Sequence, residues 1–415
     1  MNYLRISFRT AATLLAVAVF SACGLNGEGG EGEEPKPLKK IVLTQEQEAV
    51  RACENDFALG LFRKIVAKQQ DTNLMISPFS ASLCLSMAAA GADGETFNQM
   101  SSTLGFTGFS AEQIGSYYQT MCQGLYDADN TTTLKIANAV WPAMHFPLKK
   151  SYGDYAKRYY SATVENLDFS LQSAVNTVNN WAYTNTNGMI PKILDEPDPA
   201  IRLLLANALY FNGKWSGGEM ESQQKSFTDF SGKSAGTKFL GSTREMNYCA
   251  GDGYAVCSVP YGNGAYRMVI FLPDKGKKLG SLVEKLTPDF WNQTMKQLYP
   301  CEVVFSMPVF KSEYEMSDLF KATLCEMGMP LPFTGNADFS KISDESLYID
   351  EILQKTAIDV SEKGTEAAAV TAIVYKNTSV SNPKPPVVFT ADRPFAYAIV
   401  EHSFNTVLFI GIHGK

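Results

Sequence analysis

Near its C-terminus the chain reads Glu362-Lys363-Gly364-Thr365-Glu366-Ala367-Ala368-Ala369-Val370-Thr371. Gly364 can adopt backbone angles that a residue with a Cβ cannot, so it marks a pivot. In an extended chain, the face that begins at Thr365 then carries Thr, Ala, Ala and Thr, all small side chains. No proline occurs from Gly364 to Asn382, so every residue there could pair in the middle of a sheet. An ordinary Ala-rich helix or surface loop is the other interpretation of this stretch alone.

The segments before and after this stretch indicate the structures that it connects. Ala357-Ile358-Asp359-Val360, before the stretch, has the composition of a strand, and Pro383-Lys384-Pro385-Pro386, after it, predicts an exposed loop. A segment suited to the middle of a sheet, yet joined to an exposed loop, has two possible locations, one inside the sheet and one outside it.

Length and composition place the chain among folded globular proteins. Its 415 residues are 45% hydrophobic and 19% charged, with a formal net charge of −7, which argues against nucleic acid as a partner. No Lys or Arg occurs from Gln69 to Leu134, so a polyanion such as heparin would find no binding stripe there. Nothing after Lys40 resembles a linker, and we predict one folded, monomeric unit over residues 45–415.

The N-terminus predicts export. Residues 1–22 have the form of a signal peptide, with Arg5 and Arg9 before an apolar run. Phe20-Ser21-Ala22-Cys23 resembles a bacterial lipobox, in which the cysteine is acylated and anchors the mature chain in a lipid membrane. An ordinary cleaved signal peptide, with Cys23 incidental, is the alternative.

Residues 23–44 are rich in Gly, Glu and Pro and are predicted to form a disordered tether after the lipidated Cys23. The expected location is therefore the bacterial cell envelope, lipid-anchored to the outer membrane. Acidic residues soon after Cys23 favour export to the cell surface.

Hydrophobic periodicity predicts helices mainly in the first half and strands in the second. The helix candidates are Gln45–Lys68, Ser80–Gly91, Asn176–Thr186 and Leu282–Leu298. The strand candidates are Leu203–Phe211, Ala255–Pro260, Tyr266–Leu272, Glu302–Phe310, Val387–Thr390, Phe395–Val400 and Thr406–Ile412. Helices followed by a large mixed sheet predict an α+β domain.

Motifs for catalysis and cofactor binding are absent from the sequence. The three histidines, His145, His402 and His413, have no local partner of the kind that a Ser-His-Asp or Cys-His system needs. No phosphate loop, zinc-protease motif or dinucleotide fingerprint occurs. We predict that the protein is not an enzyme and that it holds no cofactor or metal.

The seven cysteines after Cys23 have no metal-like spacing: Cys53, Cys84, Cys122, Cys249, Cys257, Cys301 and Cys325. We predict that most are free and buried as small apolar side chains. Cys249 and Cys257 flank a predicted turn and could instead form a disulfide.

Short segments throughout the chain, in a fixed order, resemble landmarks of the serpin family. The run Glu362–Thr371 is similar to the hinge of a serpin reactive-site loop. The other segments are Asn73–Ser80, Asn138–Trp141, Asn180–Ile190, Leu205–Trp215, Met307–Lys311, Leu324–Met329, Ala337–Ser340, Phe389–Phe395 and Leu408–Gly411. Each segment alone could be an ordinary core strand or turn, but that does not explain why all of them occur together in this order.

The resemblance implies the serpin fold, with helices packed around a large central mixed β-sheet, further sheets and an exposed reactive-site loop. It also implies suicide inhibition of serine proteases, and of cysteine proteases in some members. The cut loop would insert into the sheet as an extra strand and carry the acylated protease to the opposite pole. The alternative is a non-inhibitory binding module of the same fold, whose loop is a plain protease substrate.

The resemblance also implies roles for individual residues. The hinge would comprise Glu362, Gly364, Thr365, Glu366, Ala367, Ala368, Ala369 and Thr371. Trp215 would lie at the breach, where insertion begins. The shutter, a polar cluster beneath the centre of the sheet, would comprise Ser77, Pro78, Ser80 and Asn207, for which plain core packing is a compatible interpretation. Gln354 occupies the position where many serpins have a shutter histidine, and its amide can both donate and accept, so a network could survive.

Counting sixteen residues from Glu362, as in the family, places the cleaved bond at Thr378–Ser379. The loop is about five residues longer than usual, so Lys376 and Tyr375 remain alternatives. Thr378 would suit an elastase- or subtilisin-like protease, Lys376 a trypsin-like one and Tyr375 a chymotrypsin-like one. Cleavage after Tyr375 would shorten the inserted strand by three residues, roughly 10 Å.

Overall fold

The computed structural model describes residues 36–350, 352, 354–365 and 385–415. Nine α-helices lie within these ranges: α1 (Gln45–Lys68), α2 (Pro78–Ala89), α3 (Gly94–Thr103), α4 (Ala111–Ala128), α5 (Lys150–Tyr160), α6 (Gln172–Asn185), α7 (Leu279–Glu284), α8 (Pro288–Gln297) and α9 (Asp318–Met327). In this part of the chain, no helix has the length and apolar character needed to cross a membrane.

Fifteen strands occur in the same described ranges: β1 (Leu74–Ile76), β2 (Thr133–Pro142), β3 (Thr163–Val164), β4 (Leu203–Lys214), β5 (Glu221–Thr228), β6 (Ser234–Gly251), β7 (Tyr254–Tyr261), β8 (Tyr266–Pro273), β9 (Tyr299–Pro308), β10 (Phe310–Met316), β11 (Gln354–Ser361), β12 (Gly364–Thr365), β13 (Val387–Thr390), β14 (Phe395–Glu401) and β15 (Val407–His413).

The strands form two sheets. A six-stranded sheet has the order β10-β11-β12-β4-β2-β3, and a nine-stranded sheet has the order β1-β15-β14-β8-β7-β6-β9-β13, with β5 paired to β6. Each sheet is mixed, because β2 and β3 pair in parallel in the first, as do β9 and β13 in the second. This is the α+β architecture with a large mixed sheet that the sequence predicts.

Helix α2 lies in the middle of the molecule, and its sequence explains why. It contacts β4 of the six-stranded sheet and β15 of the nine-stranded sheet. Of its 12 residues, every one except Cys84 is buried, and most are small or apolar, so the helix can pack on all sides. Ser77 starts the helix by accepting a hydrogen bond from the backbone N–H of Ser80, and Pro78 follows at the first helical position.

Two predicted elements are wrong in their extent. The predicted helix Leu282–Leu298 is two helices, α7 and α8, because Thr287 and Pro288 begin a new helix there. The predicted strand Glu302–Phe310 is likewise divided after Pro308 into β9 and β10, which belong to different sheets. The helices α3, α4, α5 and α9 and the β5–β6 hairpin are not among the predicted elements.

Residues 36–44, which the sequence assigns to the tether, contact the folded body. The backbone N–H of Lys36 donates to Asn130 Oδ1 over 2.9 Å, and that of Ile41 donates to Ser403 Oγ over 3.1 Å. The Ile41 side chain is buried in the core. The folded unit therefore begins before the predicted boundary at residue 45.

Candidate functional site

Strand β12 joins two halves of the six-stranded sheet. Gly364 pairs antiparallel with Ser361 of β11 and with Lys214 of β4, and Thr365 occupies the next rung of both ladders. In the described residues β11 and β4 are not paired with each other. We call the space between these two strands the seam, and the described residues of β12, Gly364 and Thr365, lie at one end of it.

The pivot position requires glycine. Gly364 has a φ of +142°, which residues with a side chain rarely adopt. A Cβ at this position would lie 2.2 Å from the carbonyl oxygen of Gly213, a backbone atom that cannot move aside easily. The chain can therefore turn from β11 into the seam only because residue 364 lacks a side chain.

The backbone that leads into β12 is held by donors from the segment that follows β4. Trp215 Nε1 donates to the carbonyl of Ser361 over 2.9 Å. The backbone N–H of Met220 donates to the carbonyl of Glu362 over 2.8 Å, and that of Trp215 donates to Lys363 over 3.3 Å. Three successive carbonyl groups of the hinge are thus bonded to one segment.

Trp215 also connects to the first residue that enters the seam. Its indole stacks on the ring of Tyr261, with centroids 4.5 Å apart and planes 13° apart. The Tyr261 hydroxyl lies 2.7 Å from the Thr365 hydroxyl, and both residues are buried. Burial raises the pKa of Tyr261 far above its ordinary value, so the hydroxyl stays protonated and bonded to Thr365. Tyr261 is not recognisable from the sequence as a site residue, because nothing in its own strand distinguishes it from other core aromatics.

An ion pair lies beside the turn. Lys238 Nζ of β6 is 2.5 Å from Glu362 Oε1, and the Glu362 side chain is 14% exposed. Burial opposes ionisation of this carboxyl, but the hydrogen bond from Lys238 and others outweigh it, and the pKa of Glu362 is lowered. The predicted hinge residue Glu362 therefore ties the hinge to the nine-stranded sheet.

Near the other end of the seam, Gln354 of β11 is bonded to Ser77. Its Oε1 accepts from the backbone N–H of Ser77 over 3.1 Å, and its Nε2 donates to the carbonyl of the same residue over 2.8 Å. The amide uses one acceptor and one donor at once, which a neutral histidine could also do but a protonated one could not. The polar network thus persists with glutamine in this position.

The network continues from Ser77 across the sheet. Ser77 Oγ accepts from the backbone N–H of Ser80, whose own hydroxyl donates to Asn207 Oδ1 of β4. Asn207 Nδ2 donates to Asn138 Oδ1 of β2 over 2.8 Å. The predicted shutter residues Ser77, Ser80, Asn207 and Gln354 therefore form one chain of hydrogen bonds, and Pro78 starts the helix that carries two of them. Among the residues that the structure describes, this chain of hydrogen bonds joins β11 to β4 by way of α2.

A narrow cavity lies in the seam below β12. Its lining comes from both edges of the seam and from the strands beneath: Met75, Phe211, Ala357, Ile358, Thr365, Ile399 and Phe409. All of the lining residues except Thr365 have apolar side chains.

The family of the protein follows from comparison with known sequences. The model of the family described as serpin (serine protease inhibitor) matches residues 52–413. The chain belongs to the serpin family. Because serpins inhibit proteases rather than catalyse reactions, the prediction that this protein is not an enzyme is confirmed.

Known serpins resemble this one along most of its length. Iripin-3 of Ixodes ricinus is 31% identical over 384 residues, which cover 89% of this chain and 96% of that protein. Serpin-ZXA of Oryza sativa subsp. japonica is 34% identical over 362 residues, covering 82% and 89%. The crystal structure of the thermophilic serpin tengpin in its native state has a TM-score of 0.79 at 32% identity, covering 92% of this chain and 97% of that one. The predicted serpin fold is confirmed.

Several predicted site residues lie outside the described part of the structure. They are the lipid anchor Cys23, the hinge residues Glu366, Ala367, Ala368, Ala369 and Thr371, and the candidate cleavage residues Tyr375, Lys376, Thr378 and Ser379. Their roles stay predictions.

The possible disulfide between Cys249 and Cys257 is wrong, since both thiols are free. Cys249 is paired with Val256 and Cys257 with Tyr248, so the two cysteines are one residue out of register and point to opposite faces of the sheet. Cys257 instead lies 3.7 Å from the Met246 sulfur, in the core.

Proposed function

We propose that this serpin is a suicide inhibitor of serine proteases, and of cysteine proteases with matching specificity, cleaved near Thr378–Ser379. The observation that carries the proposal is the seam, which Gly364 and Thr365 already enter. After cleavage, the residues that follow Thr365 would fill the seam as a complete strand, and the acylated protease would move with them. Family membership supports this, because serpins are in general protease inhibitors.

The ladders of β12 predict where the inserted side chains would fall. Continued along β11, the register places Ala367, Ala369 and Thr371 opposite Ile358, Thr356 and Gln354. These three β11 residues face the core, where large or charged side chains would be costly to insert. On the other side of the seam, the same continuation places Thr371 opposite Asn207. Insertion would therefore set a small hydroxyl side chain between the two ends of the shutter.

The length of β4 limits where the cut can lie. This strand has 12 residues, and the register pairs them with residues 364–375. Cleavage after Tyr375 would hold the protease against the last paired residue, whereas cleavage after Thr378 leaves three residues of slack, about 10 Å. We therefore favour Thr378–Ser379, with Lys376 and Tyr375 as the alternatives.

The test is incubation of the folded domain with elastase, subtilisin, trypsin, chymotrypsin and papain. The expected result is a complex that survives denaturing electrophoresis, together with a released C-terminal peptide that begins at Ser379. A peptide that begins at Asn377 or Lys376 would move the cut to the alternatives. Clean cleavage without any complex would contradict the proposal and favour the binding module whose loop is a plain substrate.

We further propose that Cys23 is acylated and anchors the protein in the bacterial outer membrane. The support is the sequence Phe20-Ser21-Ala22-Cys23 after a signal peptide. Mass spectrometry of the membrane fraction should find a mature chain that begins at Cys23 and carries acyl groups, and Cys23→Ser should release the protein into the soluble fraction. A mature N-terminus elsewhere would contradict the proposal.

A further inference from the structure

Arg244 of β6 contacts residues 215–220, which hold the hinge and which we call the 215–220 segment. No pattern in the sequence singles Arg244 out. Arg244 Nη1 donates to the carbonyl of Ser216 over 2.7 Å and to that of Gly218 over 3.3 Å. One guanidinium nitrogen therefore bonds two carbonyl groups of a single turn.

The turn has a backbone that needs such support. Gly217 and Gly218 have φ angles of +79° and +88°, which glycine adopts easily but does not fix by itself. The backbone N–H of Gly218 closes the turn onto the carbonyl of Trp215 over 3.2 Å. Two consecutive glycines leave the chain many alternative conformations, and the hydrogen bonds from Arg244 select one of them.

The same segment carries all three donors that bind the hinge carbonyls. Two of them belong to Trp215, immediately before the carbonyls that Arg244 binds, and the third is the backbone N–H of Met220, two residues after them. A shift of the turn would move these donors together. The position of Arg244 is therefore transmitted to Ser361, Glu362 and Lys363, the residues from which the loop enters the seam.

The charged guanidinium of Arg244 donates its hydrogen bonds to backbone carbonyl groups. Among the described residues, no carboxylate forms an ion pair with it within 4.0 Å, in contrast to Lys238, which pairs with Glu362. The side chain is half-buried, and desolvation lowers the pKa of its guanidinium. Hydrogen bonds from a charged donor to carbonyl groups are stronger than neutral ones, which suits a group that must fix backbone.

We propose that Arg244 is a positioning residue for loop insertion, which it controls through the 215–220 segment. The proposal rests on the proposed function, because insertion must compete with hydrolysis of the acyl-enzyme. With the hinge carbonyls held in place, residues after Thr365 enter the seam at once. With the segment loose, insertion slows, and more of the inhibitor is cleaved without trapping a protease.

The test compares Arg244→Met, which keeps the apolar stem but removes every donor, with Arg244→Lys, which keeps a charged donor. Arg202→Met at an exposed position is the matched control. The measured quantity is the number of inhibitor molecules cleaved per protease trapped. We expect a rise of roughly tenfold for Arg244→Met, a smaller rise for Arg244→Lys and none for the control.

The melting temperature of each uncleaved variant separates positioning from general stability. A raised ratio in Arg244→Met with an unchanged melting temperature supports the proposal. An unchanged ratio in a folded Arg244→Met protein overturns it. A ratio that rises equally in Arg244→Met and Arg244→Lys, with the melting temperature of both lowered, also overturns it, because general instability would then explain the effect.

A second readout keeps this test distinct from that of the proposed function. Cleavage of the loop should be followed by a gain in heat resistance as the strand inserts, whether or not a protease is trapped. If the wild-type protein traps no protease, the proposed function fails, but the time course of this gain still tests Arg244. A slower gain in Arg244→Met supports its positioning role, and an equal rate in both proteins overturns it.

Discussion

The two ends of the seam are held in different ways. At the hinge, Gly364 and Thr365 bridge β11 and β4 directly, and three backbone carbonyls are fixed by the 215–220 segment. At the shutter, Gln354 and Asn207 belong to the same two strands, and within the described residues Ser77 and Ser80 connect them.

In the proposed mechanism, the difference separates a contact that persists from one that is released. The hairpin of β11 and β12 would keep the same register as an inserted strand grew, so the hinge bonds need not break. The shutter bonds join each edge of the seam to α2, and an incoming Thr371 would have to pass between Gln354 and Asn207. We therefore expect the hinge to guide insertion and the shutter to resist it.

The largest effect is expected from a charge at the hinge. Thr365 is 2% exposed and its hydroxyl lies against Tyr261, so Thr365→Arg would place an unpaired charge in the core unless the hinge leaves the seam. We expect the hinge to leave the seam and trapping to be lost by about a hundredfold or more. Denaturing gels should show cleaved inhibitor without complex.

The control for Thr365→Arg is Lys363→Ala, which also changes the charge of the hinge but at an exposed position two residues earlier, and it should trap protease normally. Unchanged inhibition by Thr365→Arg would contradict the insertion mechanism.

At the shutter we expect a substitution to lower the stability of the uncleaved protein while fresh protein still traps protease. Gln354→Leu would leave the buried N–H and carbonyl of Ser77 without their partner and cut the link from β11 to α2, which costs roughly 2 to 5 kcal/mol of stability. The protein should lose trapping activity faster on warming, because the seam opens more easily. Freshly prepared protein should still trap one protease per inhibitor.

The exposed Gln224→Leu is the matched control for Gln354→Leu. Equal heat inactivation of the two variants would show that the shutter does not hold the seam closed.

The pH dependence of the protein's stability should arise away from the seam, at Glu54 of α1. Glu54 is 2% exposed, and burial raises its pKa from 4.5 to about 7, against the hydrogen bond from Tyr117. The folded pKa exceeds the unfolded one, so the stability linked to the protonated carboxyl is present below pH 4.5 and lost as pH rises through 7.

Glu54→Gln should remove this loss, which amounts to roughly 3 kcal/mol, and its advantage over the wild type should grow with pH across that window. Denaturant titrations at several pH values measure it. A constant difference at all pH values would assign the effect to packing instead of protonation.

The smallest effect is expected from Trp215→Phe. This change removes the hydrogen bond from Nε1 to Ser361 but keeps an aromatic ring against Tyr261, and the cost should be about 1 kcal/mol. The number of inhibitors cleaved per protease trapped should rise only a few-fold. A larger rise than that of Arg244→Met would place the control of the hinge in the indole rather than in the turn.

The sequence predicts those parts of the site that depend on local properties. Small residues after Gly364 indicate the hinge, and the strings around Ser77 and Asn207 indicate the shutter. Arg244 and Tyr261 could not be predicted, because their roles depend on contacts between strands that are distant in sequence. Residue type alone also did not show that Gln354 binds the backbone of Ser77 rather than the Asn207 side chain.

The proposed mechanism requires that residues 366–375 become a strand between β11 and β4 after cleavage. Amide hydrogen exchange, measured by mass spectrometry before and after cleavage by a trapped protease, tests it most directly. Strong new protection is expected over residues 366–375, which together with Gly364 and Thr365 match the 12 residues of β4, and little protection is expected beyond Tyr375. Cleaved protein whose exchange over these residues is unchanged would contradict it.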